Sequence, residues 1–315
     1  MRGLWVALIA TAMAAAWLSV HLLAPRIGPW AAGLLGFFVV FSAHPLLIAL
    51  NFAMSRLRGD PVPADVRLSV WQAVQTVDAE IDASMRGVWF GTPFLPRRPA
   101  QRPAPGARLQ RLPILFIHGY LCNRAVWLSF MRDAAARGYV CEAVTLPNPL
   151  AAIDTQLPVI DRAIDALLAE ARGAGCPATR VALVGHSMGG LVARLALDRL
   201  DASRIGPVIT LGTPHHGTWT ARFGGSPSVV QMQRGSSWLA TLPTPVADIE
   251  HPMTTVFSHH DNIVYPQRTG ALDGTRQIAI SGVGHVALLY DRQVRRIVFE
   301  TLAAAQAASE GLAAS

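Results

Sequence analysis

The sequence predicts an α/β domain, a mostly parallel sheet with helices on both faces, preceded by an N-terminal transmembrane helical hairpin. Three observations predict it. Strand-like apolar runs alternate with helix-period segments from Ile114 onward. One such run, Val181-Ala182-Leu183-Val184, leads directly into Gly185-His186-Ser187-Met188-Gly189 and then an amphipathic segment. Residues 3–55 contain one full charge, Arg26, which separates two apolar runs near 4–23 and 30–50.

Each N-terminal run is about 20 residues, the length a helix needs to cross a hydrocarbon core. Pro25, Gly28 and Pro29 suit a tight connection between two such helices. A rival reading makes the first run a cleaved signal peptide, with Arg2 as its charged start and Ala-rich residues 12–16 as its cleavage region. Residues 1–58 are therefore read as a two-helix membrane anchor. In residues 59–111, Val66, Val70, Val74, Val77, Ile81 and Met85 recur at helical spacing, which predicts an amphipathic helix between anchor and body. Pro93, Pro96, Pro99, Pro103, Pro105 and Pro113 then mark a boundary that no regular element tolerates.

The body, 112–315, reads as strand Ile114–Ile117, helix 125–137, strand Tyr139–Thr145, helix 156–172 and the strand and helix around Ser187. Further strands follow at Val208–Leu211, Met253–Ser258 and Gln277–Ser281, with a last helix starting near Val286. Residues 214–250, rich in Gly, Pro and Ser, break the alternation as an irregular insert.

Net charge is +7, and all 27 basic residues are Arg, scattered without aromatic interleaving, so nucleic acid is not an expected partner. Arg97, Arg98, Arg102, Arg108 and Arg111 crowd into the Pro-rich stretch, where anionic headgroups would suit them, although a solvated linker is the commoner outcome. Three cysteines, Cys122, Cys141 and Cys176, lack metal-ligand spacing and an even count, so neither a zinc site nor a disulfide framework is indicated. No acidic cluster suggests calcium, and no cofactor is expected.

A Gly-x-Ser-x-Gly turn between a buried strand and a helix doubles back so sharply that residues two away from Ser must lack side chains. It pushes the Ser187 hydroxyl out of the fold and aims the Met188 N–H, at the positive end of a helix, toward the same point. Such a hydroxyl needs a histidine base, and the base needs an acid to hold its tautomer. His285 is the preferred base because it follows a strand and comes last in the chain. His186 is read as structural, His215 and His216 fall in the insert, and His259 and His260 precede the acid. Asp261 is the preferred acid, three residues after its strand, over Asp248, which precedes that strand, and Asp273, which reads as a turn. The loop His118-Gly119-Tyr120 fits a second oxyanion donor, the Tyr120 N–H.

These segments, with Thr213-Pro214-His215-His216-Gly217-Thr218, Asp261-Asn262-Ile263-Val264 and Gly282-Val283-Gly284-His285, resemble bacterial lipases of the α/β-hydrolase superfamily, the small Bacillus-type triacylglycerol lipases above all. The resemblance covers about Leu112 to Phe299. It implies an α/β-hydrolase fold, a triad of Ser187, Asp261 and His285, oxyanion donors at Tyr120 and Met188, and cleavage of ester or lipid substrates. The membrane hairpin and the longer insert at 219–250 depart from the small lipases, so acyl-chain preference does not carry over.

The alternatives on the same triad are acyl transfer and thioester or amide cleavage, and outside enzymology a catalytically silent fold used as a binding module. If both apolar runs span, the two ends of the chain share a compartment. Arg2, Arg56 and Arg58 outweigh Arg26 in the connecting loop, which predicts an inner-membrane protein with its catalytic body in the cytoplasm.

Overall fold

In a computed structural model of the chain, residues 2–87, 103–104, 109–110, 112–243 and 252–314 are described. The five-arginine cluster and the boundary prolines other than Pro103 and Pro113 lie outside them, as does Asp248.

The two apolar runs form helices α1 (Arg2–Ile27) and α2 (Pro29–Arg58). The turn between them is a single residue, Gly28 at φ 83°, with Pro29 as the first residue of α2, where a missing N–H costs nothing. Small residues let the hairpin close: a side chain on Gly36 would come within 3.2 Å of the Ala16 carbonyl and 3.5 Å of Ser19 Cβ. Counted over the described residues alone, no helix is long and apolar enough to cross a membrane. Large apolar side chains nonetheless face outward along the hairpin, among them Trp17, Leu22, Trp30, Leu34, Phe38 and Leu46.

The next helix, α3 (Val70–Ser84), begins with a capping box in which Ser69 Oγ accepts from Gln72 N–H and the Gln72 side chain accepts from Ser69 N–H. Its apolar stripe is covered only in part: Val70, Trp71 and Val74 are exposed and Val77, Ile81 and Met85 half-buried, while the buried residues are Thr76, Glu80, Ala83 and Ser84. Periodicity shows that a helix has two faces, but it assumes that the apolar one meets the core, and here polar groups of the body need the other.

The body is a six-stranded sheet, β1 (Ile114–Ile117), β2 (Cys141–Val144), β3 (Val181–His186), β4 (Ile205–Leu211), β5 (Met253–Ser258) and β6 (Arg276–Ile280). Their order is β2-β1-β3-β4-β5-β6, with every neighbouring pair parallel. Period-two alternation divides β1 and β3 between the two faces. Leu115, Ile117, Val181 and Leu183 join one core with helices α5 (Leu157–Gly173) and α6 (Met188–Arg199). Ile114, Phe116, Ala182 and Val184 join the other with α4 (Leu128–Ala136) and α9 (Arg292–Ala314). All four residues of β1 have 0% exposure, as a central parallel strand covered on both faces requires.

Several boundaries move. Strand β4 starts three residues earlier than expected, and β2 is shorter. The segment expected to open the last helix is a separate short turn, Ala287–Leu289, because Asp291 Oδ1 accepts from Val294 N–H and caps α9 only at Arg292. The described part of the insert is built around two short helices, α7 (Pro227–Gln231) and α8 (Ser237–Thr241). No disulfide joins the three cysteines, which are buried.

Strand order reverses between β1 and β3, since the chain leaves β1 toward β2 on one side and later builds β3 to β6 on the other. A crevice opens at the carboxyl ends of strands flanking such a point.

Candidate active site

Ser187 stands at that crevice, between β3 and α6. It has φ 55° and ψ −127°, a conformation that L-residues rarely adopt. Its N–H donates to the Leu211 carbonyl at 2.9 Å, and its own carbonyl accepts from Thr213 Oγ1 at 3.0 Å, so the strained turn is held from β4 and the loop after it. The flanking glycines are needed for space. A Cβ on Gly185 would lie 2.5 Å from the Gly189 carbonyl oxygen, and one on Gly189 would run into the Ile117 and His118 carbonyls. Gly119, across the crevice, is packed so near that a Cβ there would sit 2.8 Å from Ser187 Cβ.

The loop after β1 is oriented by His118, which is fully buried. Leu146 N–H donates to its Nε2 at 2.9 Å, so Nε2 carries no proton and Nδ1–H donates to the Gly119 carbonyl at 2.7 Å. Burial holds this imidazole neutral, with its pKa lowered to about 4. A peptide group directs its C=O and N–H oppositely, so fixing the Gly119 carbonyl turns the Tyr120 N–H the other way. Among the described residues, neither the Tyr120 nor the Met188 N–H has a backbone acceptor.

Asp261 and His285 come from the loops after β5 and β6. They meet at 2.9 Å, His285 Nδ1 to Asp261 Oδ2, with Asp261 2% and His285 5% exposed. A carboxylate only accepts, so Nδ1 carries the proton and the neutral ring presents Nε2 as a base. The other Asp261 oxygen, Oδ1, accepts from the N–H groups of Ile263 and Val264 at 2.8 and 2.7 Å. Asn262 Oδ1 accepts from the His285 N–H at 3.0 Å. Burial pulls the His285 pKa down, but the charge and hydrogen bond of Asp261, with a contribution from Glu80, leave it above the ordinary histidine value.

His186 links nucleophile strand and base. Its Nε2–H donates to the His285 carbonyl at 3.0 Å, and the two rings lie 4.7 Å apart. Burial, first of all, depresses its pKa far below normal, so it stays neutral. Gly212, at φ 54°, passes beneath the pair: a Cβ there would come within 3.2 Å of both Asp261 Oδ2 and His285 Nδ1.

The remaining candidates are occupied elsewhere. His215 Nε2 is 3.0 Å from Thr210 Oγ1, and His260 Nδ1 accepts from Gly282 N–H. His259 stacks edge-on against Phe257, and Asp273 is exposed in a turn before β6.

One residue at the site escaped the sequence reading. Glu80, on α3, is 1% exposed and accepts from Val286 and Ala287 N–H, immediately after His285. Its signal was a charge spaced among Val77, Ile81 and Met85, which a helix pattern assigns to the solvent side. Among the described residues, no cluster of His, Cys, Asp and Glu suited to a metal ion occurs.

Residues 149–242 match a family model described as the PGAP1-like alpha/beta domain, a span that includes the Ser187 turn but neither Asp261 nor His285. The mature form of the Bacillus licheniformis lipase BlEst2 superposes with TM-score 0.53 at 18% identity, over 65% of this chain and 95% of that one. The propeptide form of the same lipase gives TM-score 0.51 at 19% identity, over 65% of this chain and 52% of the longer partner.

Proposed function

We propose that this chain, whose body has the α/β-hydrolase fold, is a carboxylic ester hydrolase of the lipase and esterase kind, held at a membrane by its N-terminal hairpin. The observation that carries the reading is the buried Asp261–His285 pair, aligned by two loops toward the crevice where the Ser187 turn is strained outward.

In the proposed cycle, Ser187 Oγ attacks the ester carbonyl carbon and its proton passes to His285 Nε2. The carbonyl oxygen becomes an oxyanion that accepts from the Met188 and Tyr120 N–H groups, neither of which has a backbone acceptor among the described residues. The bond to the alcohol oxygen breaks, and the alcohol leaves with the proton from His285. Water then gives a proton to His285 Nε2 as it attacks the acyl-serine, the bond from acyl carbon to Ser187 Oγ breaks, and His285 returns the proton to Oγ as the acid leaves. Asp261 keeps Nδ1 protonated and stabilises the imidazolium in both halves.

For the anchor, the support is the outward apolar band of α1 and α2, including Trp30 at 87% and Leu34 at 71% exposure. An apolar surface of this kind fits lipid. The arginines at the chain ends of the hairpin favour a catalytic body on the cytoplasmic face. An ester substrate that partitions into lipid would reach such a body without crossing much water.

The test is hydrolysis of p-nitrophenyl esters of increasing acyl length, together with fluorophosphonate labelling, by the detergent-solubilised full chain. Ser187→Ala is expected to abolish both while the far-UV circular dichroism stays unchanged. Labelling that persists in a folded Ser187→Ala protein would sink the assignment.

A further inference from the structure

The groups placed in the cycle lie on loops at the edge of the sheet. Glu80 comes from outside, from a helix 206 residues before the Val286 N–H that it holds. Oε1 accepts from Val286 N–H at 2.9 Å and Oε2 from Ala287 N–H at 2.8 Å. On the other side of the histidine, a Cβ on Gly284 would fall 2.6 Å from Oε2, so this glycine lets the carboxylate lie against the chain. One turn earlier on α3, Thr76 Oγ1, whose one proton is shared with the Gln72 carbonyl at 2.8 Å, lies 3.2 Å from the Gly282 carbonyl. The segment 282–287 is thus gripped on both flanks of His285 by a single helix face.

A buried carboxylate is costly to desolvate, and an apolar side chain would seal the same gap at lower cost. Two backbone N–H groups are a strong acceptor site for a charge, and they turn the cost into fixed geometry. We propose that Glu80 is a positioning residue for His285: its carboxylate holds the backbone just after the imidazole, packs against Gly284 just before it, and supplies, beside Asp261, a second negative charge that favours the imidazolium formed in turnover. This rests on the reading of His285 as the base. The titratable groups that face the ring are Asp261 from the β5 loop, Glu80 from α3 and His186 from β3. Burial first of all, with the nearby Asp261 charge, holds the Glu80 carboxyl above its ordinary value, against the downward pull of the two N–H groups and of the His285 charge.

The experiment measures two quantities in the full chain in detergent: the pH profile of ester hydrolysis, and the imidazole titration of His285 followed by NMR. In Glu80→Gln the amide presents a donor where Ala287 or Val286 N–H needs an acceptor, and the charge is gone. We expect kcat to fall about 100-fold with KM little changed, as for a base displaced by an ångström. The acid limb of kcat/KM and the His285 midpoint both move to lower pH, since a lost anion makes the imidazolium less stable. Glu80→Asp keeps the charge but withdraws it by one methylene, so kcat falls while the midpoint stays near the wild-type value. Thr76→Val loosens the same interface without touching charge, and is expected to lower the melting temperature and leave the acid limb in place.

An unchanged His285 midpoint in Glu80→Gln overturns the proposal, as does full kcat in either Glu80 variant. If Glu80→Gln fails to fold, the Asp variant decides by its kcat. A wild-type chain that neither hydrolyses esters nor takes the fluorophosphonate would refute the proposed function instead, and the NMR midpoint would still judge Glu80.

Discussion

Leu121 and Ser187 are the two non-glycine residues at positive φ among the described residues, each at 55°. They stand next to Tyr120 and Met188, whose N–H groups are the proposed oxyanion donors. Each such conformation costs roughly 1–3 kcal/mol, which the surrounding hydrogen bonds must offset. At the same scale Asp261 divides its carboxylate, one oxygen to the loop backbone and one to His285. Asp261→Asn should keep the loop bonds, since one oxygen remains, and lose the tautomer. We expect kcat to drop by about 10⁴-fold, while Asp273→Asn, in its exposed turn, leaves kcat within a factor of two. The reverse ranking in a steady-state assay would assign the acid to Asp273. The sign of the pH dependence follows from the raised His285 pKa. The base is protonated, and kcat/KM declines, from a pH above the ordinary histidine range downward. An acid limb centred well below that range would contradict the Asp261–His285 geometry.

Between elements, the contact that matters is α6 against the end of β1. Gly189 lies so close to the Ile117 and His118 carbonyls that any side chain must push the β1 loop away. Gly189→Ala is therefore expected to cost roughly 1–3 kcal/mol in stability and to lower kcat more than KM, by displacing the Tyr120 N–H. Urea unfolding and steady-state kinetics check the two parts, and an unaltered midpoint of unfolding would contradict the packing. This region was readable from sequence because its signals are local. The glycines, the serine and the apolar run lie within ten residues, and each demands the same turn. The grip of Glu80 was not readable, because a buried charge and an exposed charge occupy the same kind of position in a helical pattern. The start of α9 was missed for a related reason: Asp291 caps the helix through its own side chain, which an apolar period starting at Val286 does not register.

At the scale of the molecule, hydrogen bonds tie the N-terminal arm to the body outside α3 as well. Gln267 accepts from the Asp60 N–H at 2.9 Å and donates to the Asp261 carbonyl at 3.1 Å, and Asp60 Oδ2 accepts from Arg268 N–H at 2.7 Å. The arm thus reaches the acid loop just after α2 and the base loop through α3. With the proposed anchor in lipid, the exposed Val70, Trp71 and Val74 would lie toward the interface, where an amphipathic aromatic is favoured. Membranes from expressing cells are expected to retain the chain through an alkaline carbonate wash. A periplasm-dependent phosphatase fused at Ser315 should stay silent. Release by carbonate would refute the anchor, and strong phosphatase activity would place the body on the outer face.

Arg194 lies on α6, the helix that Ser187 begins, and is 4% exposed. Its guanidinium donates to the His215 carbonyl near the entry of the insert, at 3.4 Å, and to Leu242 and Pro243 carbonyls near its exit, at 3.0 and 2.9 Å. One side chain therefore fastens both ends of the excursion to the nucleophile helix. What lies between, from Thr218 to Thr241, is in mechanical terms a cassette in a fixed frame. Lengthening it adds only the slowly growing entropy of a larger ring, on the order of 0.6 kcal/mol per doubling, provided the bonds of Thr218 and Thr220 to the Ile263 carbonyl, two residues from Asp261, are kept. The rest of the insert can thus be rewritten by evolution or by an engineer while Ser187 stays where the glycines put it.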